Sequence, residues 1–162
     1  MNATDPSKEQ ERQAVISSLR ILTASPKSRK QLGGKLRQKG FEEKIVEKTL
    51  SRLEGEGLLN DRVYAQEVAR SFLHIRPSGR KRIAYELKKR GIQDSLIEEV
   101  LRTLSLDDER TRAQELAHHQ NERWSKLDPI RRRKKIYDFL LRRGFDYSLS
   151  REVVETLGRE KS

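Results

Sequence analysis

The chain has 162 residues, 38% of them charged and 33% hydrophobic, with a formal net charge of +11 and no cysteine. This apolar content is low for a single compact core, and the lack of cysteine excludes disulfides and thiolate metal ligands. No apolar run has the length of a signal peptide or a transmembrane helix, so we expect a cytoplasmic protein without a membrane segment.

One unit of sequence occurs three times along the chain. Without gaps, Leu36–Leu53 aligns with Leu87–Leu104 and with Leu140–Leu157, at offsets of 51 and 53 residues. The apolar residues recur at the spacing of helices, not of strands. A glycine followed by a large apolar residue interrupts each copy, at Gly40, Gly91 and Gly144. Each copy therefore predicts two helices joined at a left-handed glycine, with the next apolar residue packed back on the last turn.

A further helix precedes this pair in every copy, because apolar residues at helical spacing come before it as well. A proline then breaks the chain, at Pro26, Pro77 and Pro129. Residues suited to capping the middle helix stand beside these prolines: Ser28 with Gln31, Ser78, and Asp128. Each repeat is therefore predicted to contain three helices.

These elements predict an all-α fold of three tandem three-helix repeats that form an elongated, curved array. We place repeat 1 at residues 13–57, repeat 2 at 58–106 and repeat 3 at 107–158. The polar ends, 1–12 and 159–162, are expected to be disordered tails. Repeat 1 carries Gly33 and Gly34 inside a helix, where each glycine costs about 1 kcal/mol relative to alanine, so we expect it to be the loosest.

Positive charge is concentrated on the three middle helices. Taken as Ser28–Lys39, Ser78–Arg90 and Asp128–Arg143, they contain 5, 6 and 7 basic residues against 0, 1 and 2 acidic ones. Each helix therefore carries +5, while the rest of the chain carries −4. Such a stripe indicates a surface for a polyphosphate backbone or for an acidic protein groove.

The competing interpretation is an ordinary solvated surface whose charge is balanced by acids on the following helix. Candidates for that balance are Glu42, Glu43, Glu47, Glu98 and Glu99. Because the surplus recurs at the same place in all three copies, we favour the functional interpretation.

The sequence offers little for catalysis or for reading bases. It has no phosphate loop, nucleophile elbow, dinucleotide fingerprint, zinc-finger spacing or RNP-type motif. A helix-turn-helix is an alternative for each glycine-joined pair, but its threefold occurrence favours a packing unit. The histidines make a poor metal site and the larger aromatics are expected in packing: His74, His118 and His119, and Phe72, Trp124, Phe139 and Phe145. We therefore expect a protein that is not an enzyme and has no metal or cofactor.

Three segments resemble the bacterial RecX regulators, in a resemblance that runs from Val15 to Leu157. They are LND-x-x-YA at 59–65, G-x-x-x-I-x-x-EL-x-x-x-GI at 79–92, and RRGF at 142–145, in the family's order and spacing. The resemblance implies tandem three-helix repeats that bind RecA, chiefly as its filament on single-stranded DNA. It also implies a regulator that usually inhibits the recombinase, ATPase and coprotease activities of RecA and is not itself an enzyme.

We therefore predict a modulator of the RecA filament, which acts in the regulation of DNA repair, recombination and the SOS response. Its partners would be RecA and single-stranded DNA, with duplex DNA bound more weakly, and we expect a monomer. The alternative is a general nucleic-acid-binding helical repeat that acts through phosphate contacts alone.

The predicted contact residues are the cations of the second and third middle helices. They are Arg80, Lys81, Arg82, Lys88, Lys89 and Arg90, and Arg131, Arg132, Arg133, Lys134, Lys135, Arg142 and Arg143. Their role would be electrostatic. Reversal of Arg80–Arg82 to glutamate is predicted to weaken filament binding and to leave the helical content intact.

Overall fold

The computed structural model describes residues 6–159, and the regular structure in that range is entirely helical. The helices are α1 (Pro6–Ala24), α2 (Arg29–Gln38), α3 (Glu43–Gly55), α4 (Asp61–His74), α5 (Arg80–Lys89), α6 (Asp94–Arg102), α7 (Leu106–Arg123), α8 (Pro129–Arg142) and α9 (Tyr147–Arg159). They fall into three successive groups of three, which confirms the predicted all-α fold of tandem three-helix repeats. None of the helices described has the length and apolar character needed to cross a bilayer.

The aligned apolar positions of the middle helices are buried in every repeat. Leu32, Ile83 and Ile136 are at most 1% exposed. The residues four positions later are fully buried too: Leu36, Leu87 and Leu140. Burial of each such side chain contributes about 1.5–3 kcal/mol relative to exposure. The hydrophobic period therefore determines the inner face of each middle helix.

The middle helices end at the predicted glycines. Gly40, Gly91 and Gly144 have φ values of +88°, +81° and +84°. After α2 the turn is a Schellman motif, in which Gly40 N donates to the carbonyl of Arg37 and Phe41 N donates to that of Leu36. The left-handed glycine thus satisfies carbonyl groups that the end of the helix leaves without partners.

Two of the three proposed N-terminal caps are present. Ser28 Oγ accepts from Gln31 N at 3.2 Å while Ser28 N donates to Gln31 Oε1 at 3.1 Å, a complete capping box. Asp128 accepts from the first amides of α8. Ser78 does not cap α5: its hydroxyl donates to the carbonyl of Arg76. The first amides of α5 donate instead to acceptors from later in the chain, the side chain of Glu109 and the carbonyl of Gly144.

The expected disordered tail is wrong over residues 6–12, because α1 begins at Pro6. Proline is favoured at the first helical position, where its missing N–H has no intrahelical role. Polar contacts then stabilise the turns that follow: Gln13 donates to Glu9 at 2.8 Å, and Lys48 lies 2.6 Å from Glu11. At the other end α9 continues through Arg159. The remainder of both expected tails, 1–5 and 160–162, lies outside the described residues.

The chain forms two compact units, which divide the second repeat between them. One comprises Met1–Gln66 and Lys89–Gln93, and the other Glu67–Lys88 and Asp94–Ser162. The core of the first unit is built by Leu32, Leu36, Val46, Leu50, Leu53 and Leu59. A core of the second is built by Ala113, Ala117, Ile136, Leu140, Phe145, Val153, Val154 and Leu157.

The two glycines inside α2 are not equivalent. A Cβ on Gly34 would meet nothing within 4 Å, whereas one on Gly33 would lie 3.1 Å from Leu50 Cδ1. We expect Gly34→Ala to raise the free energy of unfolding by about 0.5–1 kcal/mol. Gly33→Ala should raise the free energy of unfolding by less, because the side chain of Leu50 must move. Urea denaturation followed by circular dichroism measures both, and equal gains would contradict the difference in packing.

Candidate nucleic-acid and partner interface

Helix α8 exposes most of the cations predicted to make contacts in the third repeat. Its buried residues Ile136 and Leu140 lie on one face, and successive residues of a helix turn by about 100°. The basic run at 131–135 is therefore spread over the remaining faces. The side chains of Arg131, Arg133 and Lys134 are exposed and make no ion pair or hydrogen bond with any residue in 6–159. We call these three residues the α8 cation triad.

The other two cations of the same run contact the protein itself. Arg132 Nη1 donates to the carbonyl of Ser125 at 3.0 Å. Lys135 Nζ lies 4.5 Å from the centroid of the Trp124 ring. Trp124 in turn packs edge to face on Phe139, with ring centroids 6.1 Å apart, as expected for packing aromatics.

Arg80, the first predicted contact residue of α5, is held within its own unit. Its backbone N donates to Glu109 Oε1 at 2.9 Å, and its guanidinium donates to the carbonyl of Leu104. Arg80 Nε lies 3.0 Å from Glu109 Oε2, but makes no hydrogen bond of good angle, so we regard this contact as an ion pair. A glutamate at position 80 would face the buried Glu109 carboxylate. Reversal of Arg80–Arg82 would therefore perturb the fold as well as any binding.

The next two cations of α5 each lie over a tyrosine. Lys81 Nζ is 4.8 Å from the ring centroid of Tyr147, and the guanidinium carbon of Arg82 is 5.6 Å from that of Tyr85. Both tyrosines are largely exposed, at 58% for Tyr85 and 63% for Tyr147. Arg82 also pairs with Glu86 at 2.8 Å. Proteins that bind single strands use exposed aromatic rings and cations of this kind to stack bases and to contact the backbone.

The last predicted cations of α5 have different surroundings. Lys88 lies 3.2 Å from Asp94. Lys89 is exposed and has no ion pair among the residues described. Arg90 is half-buried, and its backbone carbonyl accepts from the Ser28 hydroxyl at 2.5 Å. Of the six predicted residues, five on α5 and Arg90 directly after it, Lys89 is thus the clearest exposed cation.

The arginines of α2 are paired with acids of α3. Arg29 lies 3.0 Å from Glu47, and Arg37 lies 2.5 Å from Glu43. The hydrogen bond from Arg37 lowers the pKa of Glu43, and the hydrogen bond to Glu47 raises the pKa of Arg29. For these arginines the charge is therefore balanced by acids on the following helix, as in the competing interpretation. The charge of the α8 cation triad is not balanced in this way.

The start of α5 lies against the turn that follows α8. Gly79 N donates to the carbonyl of Arg143 at 2.9 Å, and Lys81 N donates to that of Gly144 at 3.2 Å. A Cβ on Gly79 would lie 2.3 Å from Gly144 O, and a Cβ on Gly144 would lie 2.3 Å from Arg82 N. Only glycine fits at either position. This approach brings Arg82 beside the C-terminal end of α8.

A cleft of about 280 Å³ is formed at this place by α4, α5 and α8. Its lining comprises four arginines, two phenylalanines and a serine: Arg76, Arg82, Arg142, Arg143, Phe72, Phe139 and Ser78. Arg76 and Arg142 are exposed and have no ion-pair partner in the described chain. The guanidinium carbon of Arg143 lies 5.1 Å from the centroid of the Phe139 ring. We call this site the arginine cleft.

Sequence reasoning predicted three of these four arginines and missed Arg76. Arg76 lies between α4 and α5, outside the stretch in which the charges of the middle helix were counted. Its position directly before Pro77, in the segment RPSGR, was the available signal. The role in packing expected of Phe139 stands, but its ring also lines the cleft.

The structure brings together no metal-binding group of three or more His, Asp or Glu side chains between residues 6 and 159. His118 and His119 are both exposed on α7. Neighbouring residues of a helix point about 100° apart. A pair of this kind does not chelate one ion.

Family models match the chain in three consecutive segments. They are described as the first, second and third three-helix domains of RecX, and they match residues 14–53, 60–101 and 107–154. Their order along the chain is the order of the repeats.

Individual relatives agree with the family models. "Regulatory protein RecX" of Mycobacterium sp. (strain KMS) is 34% identical over 157 residues, which cover 93% of this chain and 85% of that protein. "Regulatory protein RecX" of Prosthecochloris aestuarii is 34% identical over 147 residues, with coverage of 90% and 94%. The crystal structure of RecX from Lactobacillus salivarius superposes with a TM-score of 0.85 at 24% identity, over 93% of this chain and 98% of that one. The structural likeness shows the fold, and the sequence matches show that the chain belongs to the RecX family of regulatory proteins.

Proposed function

We propose that this protein binds the RecA filament on single-stranded DNA and inhibits the recombinase, ATPase and coprotease activities of RecA. Membership of a family of regulatory proteins supports a role in regulation. The observation that carries the proposal is the α8 cation triad, because three exposed cations without acidic partners form a surface that attracts an anionic partner. Binding, not catalysis, would produce the effect, so no cofactor is required.

The residues of the proposed contact surface do not contribute equally to binding. The α8 cation triad makes the largest contribution, and Lys81, Lys88 and Lys89 of α5 make smaller ones. Arg80 belongs to the scaffold, since it is committed to Glu109. Phosphate contacts of exposed lysines and arginines release counterions from DNA, and contacts to RecA would add a component that salt does not remove. We further propose that the protein acts as a monomer in the cytoplasm, where RecA and the chromosome are found.

A second candidate function is binding of single-stranded nucleic acid without RecA. The exposed cation–tyrosine pairs of α5 favour it, because such surfaces stack unpaired bases irrespective of sequence. Under this alternative every effect on RecA would arise from competition for DNA.

The test is hydrolysis of ATP by RecA on single-stranded DNA, titrated with this protein far below one molecule per RecA. We expect inhibition at these ratios, because one bound molecule would affect a filament of many subunits. Binding of bare single-stranded DNA is measured in parallel, at the same salt concentration. Inhibition that appears only when enough protein is present to coat the DNA would contradict the proposal and support the second candidate.

A further inference from the structure

The arginine cleft concentrates positive charge beside aromatic surface. Four arginines line a volume of about 280 Å³, and no aspartate or glutamate is among the described residues that line it. Arg82 is partly neutralised by Glu86, at 2.8 Å. Arg76 and Arg142 have no ion-pair partner in the described chain. Like charges placed so near one another favour the binding of an anion.

The guanidinium group of Arg143 is held in place by contacts with the protein. Arg143 Nη1 donates to the carbonyl of Pro77 at 3.4 Å, and its guanidinium lies over Phe139. Phe139 is itself packed against Trp124. Arg76 and Arg142, by contrast, are exposed and have no ion-pair partner in the described chain, so they are available to a ligand. This combination provides both a preorganised surface and adjustable cations.

The side chains that line the arginine cleft indicate the kind of ligand that it binds. Arginine forms paired hydrogen bonds to phosphate oxygens, and its planar guanidinium also stacks on bases. The volume is just below the range for small-ligand pockets, about 300–1,000 Å³. It therefore suits a phosphodiester with one neighbouring base better than a whole nucleoside triphosphate. A duplex keeps its bases stacked inside and would leave the aromatic surface of the cleft unused.

We infer that the arginine cleft is a binding pocket for one phosphodiester of single-stranded DNA. Arg76, Arg82 and Arg142 hold the phosphate, and the adjacent base stacks on the guanidinium of Arg143, which Phe139 supports. This inference rests on the proposed binding of single-stranded DNA and assigns a specific place to it. It also adds Arg76, in the segment between α4 and α5, to the contact residues.

The test uses the full chain and a fluorescently labelled oligothymidine in a binding titration at low salt. Arg76→Ala and Arg142→Ala remove exposed side chains without ion-pair partners, so the fold is expected to be unaffected. Each should weaken binding about tenfold. The matched control is Arg151→Ala, which removes an exposed arginine of α9 that also has no ion-pair partner in the described chain. It should change affinity less than twofold if the cleft, and not net charge, is responsible.

A conservative variant separates geometry from charge. Arg142→Lys retains the charge but loses the paired hydrogen bonds to phosphate, so we expect it to bind several times more weakly than the unaltered protein. Affinities of Arg76→Ala and Arg142→Ala equal to that of Arg151→Ala would overturn the assignment. So would the failure of the unaltered protein to bind the oligonucleotide, or equal binding of single strand and duplex.

The test of the arginine cleft can be distinguished from the test of the proposed effect on RecA. Inhibition of RecA retained by cleft variants that bind oligothymidine normally would refute the cleft and preserve the proposed function. Loss of oligonucleotide binding in the cleft variants, together with no inhibition of RecA by the unaltered protein, would refute the proposed function and preserve the cleft.

Discussion

Gly144→Ala is expected to destabilise the second unit by about 2–5 kcal/mol, and to cost more than the same change at Gly40 or Gly91, the glycines that end the other two middle helices. The residue has a φ of +84°, and a side chain in this conformation costs about 1–2 kcal/mol. Its Cβ would also lie 2.3 Å from the backbone N of Arg82. Overpacking of this kind adds about 1–3 kcal/mol when neighbouring atoms are forced to move. The hydrogen bonds from Gly79 N and Lys81 N would be strained as well.

The other two turn glycines provide a matched series. Gly40 has a φ of +88° with open space around it, so Gly40→Ala tests the backbone cost alone. Gly91→Ala should lie between them, because its Cβ would meet the side chain of Lys30, at 2.3 Å from Cδ. Thermal and urea denaturation give the order of stability. Hydrogen exchange of the Gly79 and Lys81 amides should accelerate in Gly144→Ala. Equal destabilisation by Gly40→Ala and Gly144→Ala would show that the close approach of Gly144 to Arg82 does not affect stability.

Reversal of the α8 cation triad, in the triple variant Arg131→Glu, Arg133→Glu and Lys134→Glu, is expected to weaken binding to RecA filaments about a hundredfold or more at low salt. The three side chains are exposed and lack acidic partners within residues 6–159, so the helical content should not change. The dependence of affinity on salt should become shallower, because three phosphate contacts are lost. Sedimentation with RecA filaments, repeated at several salt concentrations, measures both effects.

A control variant with the same change in net charge places the reversals elsewhere. Arg20, Lys44 and Arg151 are exposed on α1, α3 and α9, and none has an ion-pair partner among the described residues. Their reversal should weaken binding far less than reversal of the triad. Equal losses in the two triple variants would mean that net charge alone governs association and that α8 has no special part in it.

The core and the helix ends were accessible to prediction because they depend on local sequence. Leu32, Ile83 and Ile136 are buried because the helical period places them on one face. Gly40 and Ser28 end and begin α2 through backbone geometry and short-range hydrogen bonds. The extension of α1 to Pro6 was not predicted, since the pair of Glu11 with Lys48 joins residues 37 positions apart.

The role of each cation could not be predicted from the sequence, because the ion pairs that it makes depend on which helices lie side by side in the fold. Arg80 and Lys134 both lie in dense basic runs, yet Arg80 lies against the buried Glu109 and Lys134 is exposed. Ser78 has the residue type of a cap, but the first amides of α5 bond to the carbonyls of Arg143 and Gly144 and to Glu109 instead. Charge counts located the basic helices. They did not reveal the arginine cleft, which depends on the approach of two glycines from different repeats.

The acceptors of these amides bear on the order in which the protein can fold during synthesis. Arg29 N donates to Asp61 Oδ1, 32 residues later in the chain, and Arg80 N donates to Glu109, 29 residues later. The middle helices of the first two repeats thus complete their first turns only after the ribosome has added the start of the next repeat. In the third repeat Asp128 supplies the acceptor from beside the helix itself. The third repeat therefore depends on no later residue at this point, whereas α2 waits for Asp61 of the second repeat and α5 waits for Glu109 of the third.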